Sequence, residues 1–360
     1  VNGPLAGLRV IEFAGIGPVP FATMLLADMG AEVLRIDRVG GGEWPELPVI
    51  SRGRASLALD LKAAADVETC LAAIERADVL IEGFRPGVME RLGLGPEVTQ
   101  VRNPRLVYGR MTGWGQSGPL ASTAGHDINY IAVAGALALL GGASSPPAPP
   151  LNLLGDYAGG SLYLVHGILA ALLERHRSGL GQVVDAAIID GVASLLAPIV
   201  AMEAAGIVDL DRRRNMLGGV AAPHYRCYDC ADNKRVAIGP LEPRFRRLLS
   251  EGLGLEPDAL DAADDPLHWE RLTVVLTERL RTRTRDEWTA IFADGDACLS
   301  PVLEPEEAAR HPQLADRGTI ACHEGVLEPG VAPRLSRTPG GISASIPSGT
   351  QRLANWGVVR

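Results

Sequence analysis

The feature that most restricts the fold is a repeated switch, over residues 1–111, between short apolar runs and longer helical segments. Residues 8–13 read as a strand, Gly15-Ile16-Gly17-Pro18 as a turn, and 21–29 as a helix of good formers that Gly30 stops. A strand is expected at 32–36, a helix at 63–77, and further strands at 78–82 and 106–111. Strands joined through helices must cross back over the sheet, so they pair in parallel. The expected class is α/β, a parallel sheet covered by helices.

A glycine-rich loop follows, Thr112-Gly-Trp-Gly-Gln-Ser-Gly-Pro119, and then Gly125-His126-Asp127, which opens an apolar stretch to Leu140. Residues 141–150 read as a Pro/Gly/Ser linker. A long helix is expected at 156–177, a strand at 182–187 and one more helix at 189–205. Near Gly218 the character changes. Residues 225–230 and 235–239 flank Ala-Asp-Asn-Lys, a hairpin signal, and helices follow at 244–253, 267–282 and 285–293. This reads as a smaller α+β domain. The tail from Gly325, rich in Pro, Gly and Ser, is expected to be extended over the surface or partly mobile. There is no fixed-period repeat.

Composition narrows the function. With 360 residues, 47% hydrophobic and 21% charged, the chain can bury a large core, and about 150 residues per domain gives two domains. A net charge of −9 excludes a general nucleic-acid binder, which needs a basic surface. The longest uncharged apolar run, 157–173, is shorter than the roughly 20 residues of a membrane span, so no span is expected. The N-terminal residues carry no apolar signal core. Five scattered cysteines suit a reducing cytoplasm. Only Lys62 and Lys234 are lysines, and every other basic side chain is arginine. A GC-rich genome accounts for that bias, and it also makes each cation near a strand end a candidate anion contact.

Gly15-x-Gly17-x-x-Pro20 sits where a dinucleotide fingerprint would, but Pro20 replaces its third glycine, which weakens a nicotinamide oxidoreductase reading. Arg38 follows the strand expected at 32–36, Arg85 follows that at 78–82 with Arg91 one or two turns later, and Lys62 closes Leu59-Asp60-Leu61-Lys62. Open α/β sheets bind ligands beyond their strand ends, and several separate cations there suit a ligand with more than one phosphate. Taken singly, each arginine is better explained as a solvated surface residue with ordinary partners. His126 follows a glycine, and Asp156 begins the long apolar helix. A lone carboxylate at a helix start is usually a cap, and a lone histidine usually a hydrogen-bonded structural group. The pair carries chemistry only if the two face each other. His166, inside the long helix, is expected in a packed core or groove. Cys227-x-x-Cys230 lacks two further ligands at zinc spacing, so no metal site is expected.

Six segments together resemble the family III CoA-transferase superfamily. They are the N-terminal Gly-Pro-Leu-x-Gly-Leu-Arg-Val-Ile-Glu, Ala27-Asp-Met-Gly-Ala-Glu-Val-Leu-Arg-Ile-Asp-Arg38, residues 82–94 from Glu-Gly-Phe-Arg-Pro-Gly onward, 111–119, Gly125-His-Asp-Ile-Asn-Tyr130 and Gly179-Leu-Gly-Gln-Val-Val-Asp185. The resemblance spans nearly the whole chain. Gly-His-Asp points to the alpha-methylacyl-CoA racemase branch, because transferases usually carry an aromatic residue in place of His126. The resemblance implies a Rossmann-like large CoA-binding domain from 1–200 and 325–360, a small α+β domain at 218–318, and two chains interlocked as a dimer. It implies His126 and Asp156 as the acid/base pair, Asn152 as support for Asp156, and Glu242 orienting His126 from the neighbouring subunit. It carries coenzyme A contacts onto Arg38, Leu59, Asp60, Leu61, Lys62, Gly83, Phe84, Arg85, Arg91, Gly125, His126, Asp127, Ile128, Asn129 and Tyr130.

The implied reaction is racemisation at C2 of a 2-methylacyl-CoA thioester through an enolate. One proton leaves one face and another returns to the opposite face, which needs two groups on two sides. Histidine titrates near neutrality unaided, whereas the aspartate must be shifted upward. Backbone N–H groups at the helix start after Gly155 are expected to receive the enolate oxygen. No cofactor is required, since CoA is part of the substrate. The competing expectations are CoA transfer between carboxylic acids with Asp156 as nucleophile, and a non-catalytic CoA-binding scaffold.

Overall fold

The structure, a computed structural model, describes residues 3–41, 47–140, 146–210 and 221–359. It divides into a large unit (1–134, 150–195 and 315–360) and a small unit (135–149 and 196–314). The large unit therefore takes back the tail from Ala315, not 325, and leaves residues from 196 onward to the small unit. The expected boundary at 218 lies outside the described residues.

The large unit is built on six parallel strands: β1 (Arg9–Phe13), β2 (Glu32–Arg38), β3 (Arg54–Leu59), β4 (Val79–Glu82), β5 (Val107–Thr112) and β6 (Val183–Ala187). Their order is β3-β2-β1-β4-β5-β6, and each neighbouring pair is parallel. The inner strands β1 and β4 are nearly all buried, as expected for a sheet covered on both faces. The edge strand β3 was not expected. Its Ser56 and Ala58 are exposed between buried Leu57 and Leu59, so it shows edge-strand alternation, not an apolar run.

Gly109 on β5 lets the long helix lie close, since a side chain there would meet Leu164 at 3.0 Å and Ile168 at 3.2 Å. That helix is continuous over Leu153–Ser178, longer than expected. It opens as a π-helix, Leu153–Ser161, and continues as an α-helix, Leu162–Ser178. By length and composition alone it could cross a membrane, contrary to the expectation. Its Leu164, Ile168, Ala171 and Leu172 are buried within the large unit, however. The opposite side leaves Leu162, Leu169 and Leu173 exposed, at 51%, 39% and 72%, and His166 stands exposed among them, not in a core.

Residues 189–205 form two helices, Ile188–Leu195 and Ala197–Ala204, the second opening on Pro198. A proline there lacks the N–H a continuing helix would need. The tail is ordered. A hairpin, Ile320–His323 with Val326–Pro329, is tied down by Arg52, which donates to the Pro329 carbonyl at 2.7 Å and pairs with Asp28 at 2.6 Å. The helix Gly349–Asn355 brings Leu353, Trp356 and Val358 into the same core as Ile11, Leu34, Leu57 and Leu80.

In the small unit the expected hairpin is present as Arg226–Asp229 paired with Arg235–Ile238, and Leu299–Pro301 adds a third antiparallel strand. Helices Pro243–Gly252, Trp269–Leu280 and Arg285–Ile291 supply Leu249, Leu272, Leu276, Leu280 and Trp288 to its core. Cys227 is exposed and Cys230 buried, and all five cysteines are free thiols.

Candidate active site

Strand order reverses between β1 and β4, and such a reversal opens a crevice beyond the strand ends. A cleft of about 1390 Å³ lies there. Its walls are the loop after β1 (Ala14 to Gly17), Arg38 at the end of β2, Leu59 to Lys62 at the end of β3 and just beyond it, Phe84 after β4, Asn152 capping the π-helix, and Asp156 and Tyr157 within it.

The π-helix places Asp156. Gly159 and Gly160 let this wide turn lie against the Ile188–Leu195 helix, since a Cβ on Gly159 would meet Val192 at 2.7 Å and one on Gly160 would meet Ile188 at 3.1 Å. Gly17 has φ of 69°, and a Cβ there would stand 3.2 Å from Asp156 Oδ2. The second glycine of the apparent dinucleotide motif thus makes room for a carboxylate. Asn152 donates to Asp156 Oδ2 at 3.1 Å, and the Asp156 N–H donates to Asp127 Oδ2 at 2.8 Å. Burial pushes the Asp156 carboxyl above its ordinary pKa. The Asn152 hydrogen bond opposes that rise, the Asp127 charge adds to it, and His126 opposes it.

His126 is the N-cap of the short helix Asp127–Val133, and its side chain is exposed. Its N–H donates to Asn129 Oδ1 at 3.0 Å. Tyr130 donates to the Gly125 carbonyl and packs edge-on against Trp114, with ring centroids 4.8 Å apart. A side chain at Gly125 would strike that Tyr130 ring at 2.7 Å. The Gly-His-Asp turn is therefore held from within by Asn129 and Tyr130, which presents His126 outward. Burial, then the nearby Asp156 charge, raises the Tyr130 hydroxyl pKa, and Arg85 opposes this.

Of the residues singled out in the sequence, Arg38, Leu59, Asp60, Leu61, Lys62, Phe84, Asn152 and Asp156 line one cleft. Gly83, Arg85, Arg91 and residues 125–130 are not part of its lining. His126 and Asp127 nevertheless act electrostatically on Asp156, and Arg85 on Tyr130, so these groups form one neighbourhood. Arg38, Lys62, Arg85 and Arg91 are exposed. Ile128 is also exposed, at 44%. Asp60 accepts from the Lys62 N–H at 3.1 Å and so shapes the Leu59–Lys62 turn. Glu242 lies in the small unit, as the N-cap of Pro243–Gly252.

The Asp156 N–H, expected to be open to an enolate oxygen, is instead occupied by Asp127. That side chain is buried at 6%, so it is not a surface contact. Several wall residues escape a sequence reading. Glu12 on β1 is fully buried, yet pairs with Arg54 at 2.6 Å and accepts from Thr23 at 2.8 Å, and both charged residues line the cleft. A charged residue inside an apolar strand was the available signal. Tyr157, packed on Phe21 at 4.9 Å, had none beyond its neighbour Asp156.

Comparison with known proteins agrees with this architecture. Residues 5–352 match the model of CoA-transferase family III. The mouse protein "Alpha-methylacyl-CoA racemase" is 44% identical over 94% of this chain and 88% of its own. The human protein of that name is 42% identical over 93% and 87%. A crystal structure of a CAIB/BAIF family protein from Brucella suis superposes with a TM-score of 0.83, at 26% identity over 99% of both chains. The six-stranded sheet in its reversed order and the match over residues 5–352 lead to one conclusion: this chain belongs to the family III CoA-transferases.

Proposed function

We propose that this chain is an alpha-methylacyl-CoA racemase, interconverting the 2R and 2S forms of 2-methylacyl-CoA thioesters. His126 and Asp156 are its acid/base pair. The observation that carries the reading is the Asp156 carboxyl, set in a large cleft with its pKa pushed up by burial and by Asp127, with His126 near enough to act on it. An aspartate that must both hold and release a proton is served by a pKa raised toward the working pH. The 42–44% identity to proteins named as racemases supports the same branch.

In this reading one base removes the C2 proton, the negative charge moves onto the thioester oxygen, and the other group delivers a proton to the opposite face. Coenzyme A enters as part of the substrate, with no separate cofactor. Arg38, Lys62, Arg85 and Arg91 hold its phosphates, and the remote binding energy positions an acyl chain of variable length. Glu242 of the partner subunit orients His126 in an interlocked homodimer. The exposed Leu162, Leu169 and Leu173 on one helix side support such an assembly. Branched-chain fatty acid metabolism in the cytoplasm suits this chemistry and the free thiols.

The test is C2 exchange. Either stereoisomer of a 2-methylacyl-CoA, incubated in deuterium oxide, is expected to incorporate deuterium at C2 and to racemise. His126→Ala and Asp156→Ala are each expected to lower the rate by about 10²–10⁴-fold. A hydroxylamine-trappable acyl adduct on Asp156, with no C2 exchange, would replace this reading by CoA transfer.

A further inference from the structure

Asp127 immediately follows one proposed base, His126, and touches the backbone of the other. Its side chain is 6% exposed. Oδ2 accepts the Asp156 N–H at 2.8 Å, and Oδ1 is buried with no hydrogen-bond partner. A buried carboxylate with an unpartnered oxygen is a costly arrangement, and structures keep it where it serves something else. The chain also makes room for it. A Cβ on Gly155 would stand 2.3 Å from Asp127 Oδ2 and 2.8 Å from its Cγ, so only glycine fits between this carboxylate and the π-helix.

Resting on the racemase reading, we propose that Asp127 is a positioning residue. Its carboxylate anchors the first turn of the π-helix through the Asp156 N–H, and so sets where the Asp156 carboxylate stands and how readily it keeps a proton. The anchor bonds the backbone of the very residue whose side chain reacts, which leaves that side chain free for substrate. Its incompletely compensated charge acts in the same direction as burial on the Asp156 carboxyl.

Asp127 is the carboxylate whose charge acts on Asp156 in this sense. The Asp127–Val133 helix and its cap also present His126 and Tyr130 to Asp156. The N-cap of the π-helix contributes the neutral Asn152. The loop before Pro18–Asp28 contributes Gly17. The Ile188–Leu195 helix packs through Ile188 and Val192, and its one acid, Asp190, is exposed. On the sheet side, the acid Glu12 is paired with Arg54.

The experiment separates charge from position. Asp127→Asn keeps size and an acceptor oxygen but removes the charge. In carboxyl carbon NMR of aspartate-labelled protein, with Asp156→Asn assigning the signal, the Asp156 titration midpoint is expected to move to lower pH. The acid limb of kcat/KM for C2 exchange should move the same way. Asp127→Glu keeps the charge and displaces it by one methylene. It is expected to lower kcat by roughly tenfold or more with little change in KM, because misplacing a reacting group by about 1 Å can cost on the order of 100-fold. A wild-type midpoint and acid limb in Asp127→Asn would overturn the proposal. Should that variant not fold, a wild-type kcat in Asp127→Glu would do so. Absence of C2 exchange in the wild-type protein would instead remove the racemase reading, while the NMR midpoint would still report on Asp127.

Discussion

Two side chains press on Asp156 in opposite electrical senses. Asn152 donates a hydrogen bond to the charged form and so favours it, while Asp127 and burial disfavour it. Asn152→Ala is therefore expected to move the acid limb of kcat/KM to higher pH. The same balance has a thermodynamic face. A carboxyl whose pKa is higher folded than unfolded binds more protons in the native state between the two pKa values, so stability falls as pH rises through that interval and the loss stays constant above it. Asp156→Asn removes this penalty. Its melting temperature is expected to exceed that of the wild type at pH 7, with the difference vanishing below the unfolded aspartate pKa of about 3.9. At this scale much of the site was legible: Arg38, the 59–62 turn, Asn152 and Asp156 do share a cleft. The bonding of Asp127 was not, because nothing in Gly-His-Asp says which way its carboxylate turns.

Helices and strands here are shaped by close approach more than by propensity. Gly191 illustrates this, since a Cβ there would sit 1.9 Å from the Gly159 carbonyl oxygen, backbone against backbone. Gly191→Ala is expected to destabilise the fold by about 1–3 kcal/mol or more, because neither element can move without displacing the π-helix. Chemical denaturation with C2 exchange on the same samples would check that stability and activity fall together. Such pairings explain what could not be seen in the sequence. The parallel strands β1, β2, β4, β5 and β6 announce themselves as apolar runs. The π-helical opening does not, because it arises where Gly155, Gly159 and Gly160 meet side chains distant in sequence. Strand β3 was obscured by its alternation, and the helix expected over 189–205 by an apolar run that continues through Pro198.

At the scale of the molecule, the sheet of the large unit carries a buried ion pair. Glu12 and Arg54 are almost wholly buried and bonded to each other. Breaking such a pair leaves one charge stranded, so Glu12→Ala is expected to cost about 3–5 kcal/mol, measurable by urea denaturation. The proposed homodimer is tested by Leu169→Asp together with Leu173→Asp, which is expected to lower the mass seen in sedimentation equilibrium, since both leucines are exposed on one helix side. The tail runs over the surface between residues 330 and 347, as expected, but its two ends are anchored in ways its Pro, Gly and Ser content does not announce. Arg52 holds the hairpin at one end, and Leu353, Trp356 and Val358 enter the core at the other. Trp356 is 3% exposed and donates to Glu32 at 2.8 Å.

That return of the tail has a consequence in time. The last strand of the sheet ends at Ala187, but the helix that completes its core cover begins at Gly349. At a synthesis rate of about 5–20 residues per second, the nascent sheet waits on the order of 10 s with part of its apolar face uncovered. Over that interval the uncovered apolar surface is open to non-native contact, so truncation before Gly349 is expected to leave a chain that aggregates on expression.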